Sequence, residues 1–198
     1  MSKDIKELSK FLSYVLRHEP EHIDLELDED GWAVIEDLIC GAAEKWSCLT
    51  YSMIREVVLS GDKKRFEMSG DGTRVRAIQG HSTKLVSRKY LEFEPPEFLY
   101  HGTAVRFLDS IRQQGLIAGA RHHVHLTQDK VTACKVGRRY GVVALLQVDS
   151  QKMFAQGFKF FKAENDVWLT ACVPADFLHE IEVPNKTSSL LPPTPGEF

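Results

Sequence analysis

Hydrophobic residues recur at helical spacing three times within the first 60 residues of the chain. The first pattern runs from about Ile5 to Arg17 and stops before Pro20. The second follows the polar turn 28–31, and the third extends from Thr50 to Ser60. We therefore predict three helices. Their inward-facing residues are Leu8, Phe11, Leu12, Val15 and Leu16, then Val34, Ile35, Leu38 and Ile39, then Ile54, Val57 and Val58.

The hydrophobic period changes after these helices. Residues 65–68 and 73–78 read as strands on either side of Ser69-Gly70-Asp71-Gly72, which predicts a β-hairpin. Three helices followed by a hairpin is the order of elements in a winged-helix module, a helix-turn-helix variant that is common in nucleic-acid binding. Many other small domains share this order, so the pattern alone leaves them open.

Pro95 and Pro96 indicate a domain boundary, because consecutive prolines stop both helix and sheet. Beyond them, the predicted strands are 98–100, 123–126, 142–148, 158–161 and 167–170, and the predicted helices are 105–113, 129–136 and a short one after 148. The segment 184–198 holds four of the eight prolines and few apolar residues, which predicts a mobile tail. We expect an α+β protein with a winged-helix lobe at 1–92, an α/β lobe at 97–183 and a tail at 184–198.

The composition is that of an ordinary packed protein, with 43% hydrophobic and 27% charged residues in a chain of 198. No apolar run is long enough to cross a bilayer, and no signal-peptide core is present. The cysteines (Cys40, Cys48, Cys134 and Cys172) lack Cys-x-x-Cys spacing, which predicts reduced, buried thiols. We expect a cytoplasmic monomer with no membrane partner.

Charge is distributed unevenly along the chain. The net charge of −3 argues against a protein that coats nucleic acid in bulk. Residues 1–60 carry 6 Lys and Arg against 13 Asp and Glu, a net of −7, whereas residues 61–90 carry 8 against 3, a net of +5. This concentration of positive charge predicts a local surface that faces phosphate, and a solvated basic patch is the alternative.

The most informative pair of neighbours is Arg17-His18, at the end of the first predicted helix. A guanidinium is a fork-shaped grip for phosphate, and an imidazole moves protons most easily near neutral pH. Together they suggest a phosphoryl group that is held and transformed. The alternative is a helix cap, since cations near a helix C-terminus favour the macrodipole.

Further candidates lie at the ends of other predicted elements. Residues 100–103 (Tyr-His-Gly-Thr) form a strand-to-helix junction that suits a nucleotide, or an ordinary turn. His123 and His125 share one face of a strand as half of a metal site would, but matching ligands are missing, so we expect no metal. Basic junctions occur at 63–66, 76–82 and 136–141, and taken singly each is more often a solvated surface than a site. Their recurrence predicts contacts with the sugar and phosphate of a nucleic acid, and the candidate residues are Lys64, Arg76, Gln79, His81 and Ser82.

The chain resembles the NAD-dependent RNA 2′-phosphotransferase family in several short stretches, whose order and spacing together are specific. The matching stretches are 8–18, 30–32, 64–66, 76–82, 99–103, 123–126, 136–141 and 167–170. They cover the chain from about residue 5 to 183. The resemblance implies an RNA-binding winged-helix lobe, an NAD-binding lobe like that of ADP-ribosyltransferases, and a role such as removal of the tRNA splice-junction phosphate.

The resemblance also implies a two-step reaction and its residues. The RNA 2′-phosphate attacks the nicotinamide ribose of NAD, and the phospho-ADP-ribosylated RNA then yields RNA with a 2′-hydroxyl and ADP-ribose 1″,2″-cyclic phosphate. The family's three essential arginines and one histidine fall on Arg17, His18, Arg65 and Arg139, with Arg138 as a possible register error at the last. The implied NAD-binding residues are His101, Gly102, Thr103, Ile111, Gly115, Leu116, Arg121, His123 and His125.

Two features near the end of the second lobe depart from related patterns. Many ADP-ribosyltransferases carry a late-strand glutamate that activates the acceptor, and the closest carboxylate here is Glu164. A phosphate acceptor is already ionised and needs no such base. Asp166 stands where the family often has a small residue, which leaves the local turn geometry open.

Two other functions remain as alternatives. One is a mono-ADP-ribosyltransferase that acts on a terminal nucleic-acid phosphate or a protein. The other is a winged-helix regulator that senses NAD or ADP-ribose without turnover.

Overall fold

The computed structural model describes residues 3–60 and 64–184, and they form two compact units. The first unit comprises the chain up to Phe93 together with Ala118–Val124 and Phe161–Ala171. The second comprises Glu94–Ile117, His125–Phe160 and the chain from Cys172 onward. Two segments that the sequence-based division assigned to the second lobe therefore belong to the first unit. Apart from Pro184, the predicted tail 184–198 lies outside the described residues.

The three predicted helices of the first unit are present. They are α1 (Lys3–Val15), α2 (Ile35–Gly41) and α3 (Tyr51–Leu59), and the Thr50 hydroxyl caps α3 by accepting from the Met53 N–H at 3.3 Å. Leu8, Leu12, Val15, Leu38 and Ile54 are buried in the core of this unit.

The end of α1 differs from the prediction, which extended the helix to Arg17. The backbone N–H groups of His18 and Glu19 both donate to the Tyr14 carbonyl, at 2.9 and 3.1 Å, so the chain turns instead of continuing. A short 3₁₀ helix, Pro20–Ile23, follows. Arg17 and His18 thus lie in a turn just past the helix, and they are not residues of its last helical turn.

A three-stranded antiparallel sheet completes the N-terminal part of the first unit. The predicted hairpin is confirmed as β2 (Phe66–Met68) and β3 (Arg74–Ala77). The sequence pattern missed β1 (Trp32–Val34), which pairs with β3 and gives the order β1-β3-β2. β1 is as short as β2, but no hairpin turn joins it to its partner β3, and Val34 had been assigned to the following helix.

The second unit is built on an antiparallel sheet with the order β11-β7-β4. Its strands are β4 (Leu99–Ala104), β7 (Val143–Val148) and β11 (Leu178–Ile181), and β5 (Leu116–Ile117) pairs separately with β10 (Cys172–Val173). Its helices are α4 (Leu108–Gln114), α5 (Lys130–Gly137) and α6 (Ser150–Ala155). The helix predicted from Val105 begins instead as a 3₁₀ turn, Val105–Phe107, that precedes α4.

The remaining strands are short and lie late in the chain or near a boundary. β6 (Val124–Leu126) begins at the last residue of one segment of the first unit. β8 (Phe161–Lys162) and β9 (Trp168–Thr170) pair antiparallel within the first unit. The strand predicted at 158–161 thus begins later than expected. Ile78, Ala163 and Leu169 form a small buried cluster against Tyr90, Phe161 and Val167.

Three general expectations can be compared with the structure. The protein mixes helices and sheets, which confirms the α+β class. None of the helices in the described part of the chain is long and apolar enough to cross a membrane. All four cysteines are free, but Cys40 and Cys48 are exposed, so the expectation of buried thiols was wrong for these two.

Candidate functional site

Arg17 is fixed by hydrogen bonds to its backbone carbonyl and by contacts of its side chain with Arg65 and Phe66. Its carbonyl accepts hydrogen bonds from the N–H groups of Ser82 and Thr83, at 2.9 and 3.2 Å. Its Nη2 donates to the Arg65 carbonyl at 3.4 Å, and its guanidinium carbon lies 5.7 Å from the centre of the Phe66 ring. The beginning of the hairpin, at residues 65 and 66, therefore holds the Arg17 guanidinium in place.

Among the described residues, no anionic group pairs with Arg17. Burial, followed by the positive charges of Arg121 and Arg65, lowers the pKa of Arg17 to about 10. Its Nε is buried and makes no hydrogen bond. In residues 3–60 and 64–184 no ion pair involves any of these three arginines. Such an arrangement favours an external anion, because three guanidiniums can share its charge.

His18 is the group in this cluster that can move a proton. Its Nδ1 lies 2.8 Å from the Ser82 hydroxyl oxygen. Burial is the main cause that lowers the pKa of His18, and the positive charges of Arg17 and Arg121 lower it further. The imidazole is therefore mostly neutral at pH 7, as a general base must be.

His81 was predicted to contact RNA, but the structure places it in the interior. Its side chain is 3% exposed, and a Cβ on Gly31 would lie only 3.0 Å from its Nε2. Burial, and then the charge of Arg17, lowers the pKa of His81 to about 3. A neutral His81 therefore packs behind the arginine cluster.

Arg76, a second predicted RNA contact, is engaged within the protein. Its guanidinium lies 4.3 Å from the centre of the Trp32 ring and forms ion pairs with Glu67 and Glu164. Glu164 also pairs with Arg88, whose side chain is 5% exposed. Glu164 thus joins Arg76 and Arg88 in one network of ion pairs.

The other predicted RNA contacts are more accessible. Lys64 is exposed, with its Nζ 4.0 Å from a carboxylate oxygen of Glu67, and Gln79 and Ser82 are half-buried. Gly80 has a φ of +92°, and a Cβ there would lie 3.7 Å from Nη1 of Arg17. A residue with a side chain would be strained at this φ, although its Cβ would make only ordinary van der Waals contact with the guanidinium.

Two residues implied to bind NAD belong to the first unit. Arg121 is exposed and close enough to Arg17 and His18 to lower the pKa of each. The His123 ring stacks edge-on with the rings of Tyr90 and Phe161, at 5.9 Å in both cases. His123 is thus part of an aromatic cluster, whereas Arg121 belongs to the arginine cluster.

The remaining implied NAD residues lie in the second unit. His101 on β4 is oriented by a 3.0 Å hydrogen bond between its Nδ1 and the His125 carbonyl, and the next residues on the strand, Gly102 and Thr103, are buried. Gly102 serves packing, since a Cβ there would lie 1.7 Å from the Ala133 carbonyl of α5.

Gly115, which follows α4, also serves packing. Gly115 has a φ of +74°, and a Cβ there would lie 2.1 Å from the Val173 carbonyl. The neighbouring Leu116 is buried and pairs with Val173 between β5 and β10, while Ile111 is half-buried on α4.

Arg139, predicted as a catalytic residue, is exposed in the turn Arg138–Tyr140 of the second unit.

Comparison with known proteins identifies the family. A family model described as "RNA 2'-phosphotransferase, Tpt1 / KptA family" matches residues 2–172. The chain belongs to this RNA 2′-phosphotransferase family.

Close relatives carry the same description along nearly their whole length. A "Probable RNA 2'-phosphotransferase" of Burkholderia lata is 55% identical over 181 residues, covering 91% of this chain and 93% of the relative. Proteins with the same name from Pseudomonas fluorescens and Pseudomonas aeruginosa are 56% and 53% identical, covering 89% and 90% of this chain and 97% and 98% of theirs.

In this member of the RNA 2′-phosphotransferase family, several hydrogen bonds that support the site had no signal in the sequence. Arg88 donates to the Ile78 carbonyl, which also accepts from the Tyr90 hydroxyl at 3.1 Å. Asn165 reaches the Lys64 carbonyl at 3.1 Å from far along the chain. The excess of basic residues at 61–90 included Arg88, but no local pattern revealed its partner Glu164.

Proposed function

We propose that this protein removes an internal 2′-phosphate from RNA and transfers it to NAD. The observation that carries the proposal is a group of three guanidiniums, on Arg17, Arg65 and Arg121. They form no ion pair within the described part of the chain, and they lie beside the neutral imidazole of His18. The names of the relatives and the family support a phosphorylated RNA as the substrate.

In this proposal the third guanidinium is Arg121 and not Arg139. Arg121 is one of the charges that lower the pKa of Arg17 and of His18, so it acts on the same atoms as the rest of the cluster. Arg139 lies in the other unit, and its assignment to catalysis stays a prediction. Three arginines can bind a phosphate dianion and direct one of its oxygens toward the carbon that is attacked.

The first step joins an oxygen of the RNA 2′-phosphate to C1″ of the nicotinamide ribose. The bond between C1″ and the nicotinamide nitrogen breaks, and its electron pair leaves with neutral nicotinamide. In the second step the 2″-hydroxyl of that ribose attacks phosphorus and displaces the RNA 2′-oxygen. The products are RNA with a 2′-hydroxyl and ADP-ribose 1″,2″-cyclic phosphate.

His18 takes the proton in the second step. A neutral imidazole can accept a proton from the attacking hydroxyl and return one to the RNA 2′-oxygen as it leaves. The arginines meanwhile stabilise the negative charge that builds on the phosphorus-bound oxygens. In His18→Ala we expect the first step to persist while the phospho-ADP-ribosylated RNA accumulates.

The finer fold assignment belongs to the same proposal. The order α1, β1, α2, α3, β2, β3 and the sheet order β1-β3-β2 support a winged-helix lobe for RNA. The second unit would be the ADP-ribosyltransferase-like lobe, with His101 and Thr103 near the nicotinamide ribose and Ile111 and Leu116 along the dinucleotide. The fixed imidazole of His101 fits such a ligand, because one ring nitrogen is anchored and the ring is half-exposed.

No metal enters the proposed mechanism. Within the described ranges, no three His, Cys, Asp or Glu side chains come together as metal ligands. The positive charge that a metal would contribute to phosphoryl transfer is here assigned to the arginines. Independence from metal stays a prediction, which chelation of the reaction mixture would check.

The test is to incubate the protein with NAD and an oligonucleotide that carries one internal 2′-phosphate, and to analyse the products by mass spectrometry. Loss of the phosphate together with ADP-ribose cyclic phosphate supports the proposal. A stable ADP-ribosylated product would instead support a mono-ADP-ribosyltransferase, and an absence of nicotinamide release would support a non-catalytic NAD sensor.

A further inference from the structure

A patch of exposed apolar side chains interspersed with arginines lies at one end of the second unit's sheet. Val105, Phe107, Tyr140 and Val142 are 49%, 40%, 49% and 77% exposed, although residues of these types are usually buried. Three exposed arginines lie among them. We name this surface the Arg-aromatic patch, and it consists of Val105, Arg106, Phe107, Arg138, Arg139, Tyr140 and Val142.

The two chain segments that form the patch are adjacent in space. The strand pairing of β4 with β7 brings Ala104 opposite Val143, and the Val105 N–H donates to the Val142 carbonyl at 2.8 Å. A Cβ on Gly141 would lie 3.7 Å from Cβ of Ala104. The turn 138–142 therefore packs directly beside residues 104–107, so the exposed side chains belong to one surface.

The charge of this surface is uncompensated. No acidic residue occurs in 98–108 or 138–148, and none of the ion pairs of the described residues involves Arg106, Arg138 or Arg139. Arg112, an exposed arginine of the same unit, pairs instead with both Asp109 and Glu180. The patch thus presents free guanidiniums to an anionic partner.

We propose that the Arg-aromatic patch binds the RNA strand outside its phosphorylated nucleotide. Exposed aromatic rings stack on bases without regard to sequence, and arginines neutralise the phosphates between them. The guanidinium carbon of Arg106 already lies 4.7 Å from the centre of the Phe107 ring, which brings charge and stacking surface together. This inference rests on the proposed function, because it takes RNA as the substrate.

An RNA strand fits this surface better than a protein partner does. The patch combines apolar side chains with three arginines and no acidic residue, so its partner must supply negative charge beside apolar surface. A single strand supplies both, as phosphates and bases. Its binding would depend on salt, since each phosphate contact releases counterions.

The test compares two substrates with the Arg106→Gln variant and with Tyr140→Ser. One substrate is a 2′-phosphorylated dinucleotide, and the other is a single-stranded RNA of about 20 nucleotides that carries one internal 2′-phosphate. We expect the KM for the long RNA to rise about tenfold, with kcat and the KM for the dinucleotide unchanged. The salt dependence of the long RNA's affinity should fall by about 0.7 in log–log slope per arginine removed.

Arg112→Gln is the matched control, because it removes the same charge from an exposed position outside the patch. An unchanged KM for the long RNA in the patch variants, or an equal rise in Arg112→Gln, would overturn the inference and leave a protein partner as the occupant. Thermal melting verifies that each variant is folded.

A second measurement separates this inference from the proposed function. Fluorescence anisotropy with the unmodified long RNA needs no turnover and no 2′-phosphate. Weaker, less salt-dependent binding by the patch variants supports the patch even if the wild-type protein fails to release the phosphate. Equal binding by wild type and variants contradicts the patch even if the wild-type protein is fully active.

Discussion

The hydroxyl oxygen of Ser82 lies 2.8 Å from Nδ1 of His18, while the backbone N–H of the same serine donates to the carbonyl of Arg17 at 2.9 Å. One residue therefore orients the imidazole and also fixes the backbone of the neighbouring arginine. With Nδ1 engaged by the hydroxyl, Nε2 is the nitrogen that can exchange a proton with a substrate. In the proposed mechanism Ser82 would act through His18, as a positioning residue.

Replacing Ser82 with Ala should slow the second chemical step about tenfold, which corresponds to the loss of roughly one hydrogen bond. The first step should change little, because the backbone contact to Arg17 does not need the hydroxyl. Quenched-flow measurement of the phospho-ADP-ribosylated RNA should therefore show transient accumulation of this species. Ser82→Thr keeps the hydroxyl and should restore the second step; equal loss in both variants would indicate a purely structural role.

Arg121 and Arg139 are competing candidates for the third phosphate-binding guanidinium. We expect Arg121→Gln to slow nicotinamide release from NAD by about a hundredfold or more, because a charge aimed at the reacting phosphate is removed. The substrate should be the 2′-phosphorylated dinucleotide, and the readout is the rate of nicotinamide release.

Arg139→Gln provides the matched comparison, since both arginines are exposed and lose the same charge. A large loss in Arg139→Gln with near-normal activity in Arg121→Gln would reverse the assignment. The pKa of Arg17 offers a readout that does not depend on turnover. Removal of Arg121 should raise this pKa, since the Arg121 charge is one cause of its depression, and NMR titration of the guanidinium would detect the change.

The local fold was predictable where each element is long enough to carry its own pattern. The three helices and the β2–β3 hairpin follow directly from spacing and from the Gly-rich turn between 69 and 72. β1 was missed because, unlike the equally short β2, it is not joined to β3 by a hairpin turn. The end of α1 was placed two residues late because Arg17 continues the helical pattern. The deciding interaction there, the Tyr14 carbonyl accepting from two N–H groups, has no sequence signature.

The candidate site was predictable only in part, for a different reason. The Arg17-His18 pair is visible because its members are neighbours in the chain. Arg121 was assigned to NAD, because nothing in the sequence indicates that its segment belongs to the first unit. The pair Arg88 and Glu164, 76 positions apart, is likewise created by folding and not by spacing.

Lowering the pH should destabilise the protein through His81. The fold holds this imidazole neutral, with a pKa of about 3 against an ordinary value of 6.5. Between these two values the unfolded chain binds more protons than the folded chain, so the free energy of unfolding falls as the pH is lowered below 6.5. This one group lowers the free energy of unfolding by at most about 1.4 kcal/mol for each pH unit below 6.5. Above pH 6.5 it lowers the stability no further, because His81 is neutral in both states.

Urea denaturation at a series of pH values measures this slope. His81→Gln should make the slope shallower between pH 6.5 and 4, because the group that takes up the extra proton is removed. His22→Gln is the control, since His22 lies in the 3₁₀ helix after α1 and outside the arginine cluster. An identical pH dependence in wild type and His81→Gln would contradict the interpretation that His81 is the buried neutral group.

Gly102 distinguishes a packing role from a nucleotide-binding role within the second unit. A Cβ at this position would lie 1.7 Å from the Ala133 carbonyl, so Gly102→Ala must separate β4 from α5. We expect the free energy of unfolding to fall by at least about 3 kcal/mol, measured by urea denaturation without any ligand. Gly70→Ala is the control, because a Cβ there meets no atom within 4 Å and should change stability little. Normal stability in Gly102→Ala, together with weaker NAD binding, would show that the glycine instead leaves room for the dinucleotide.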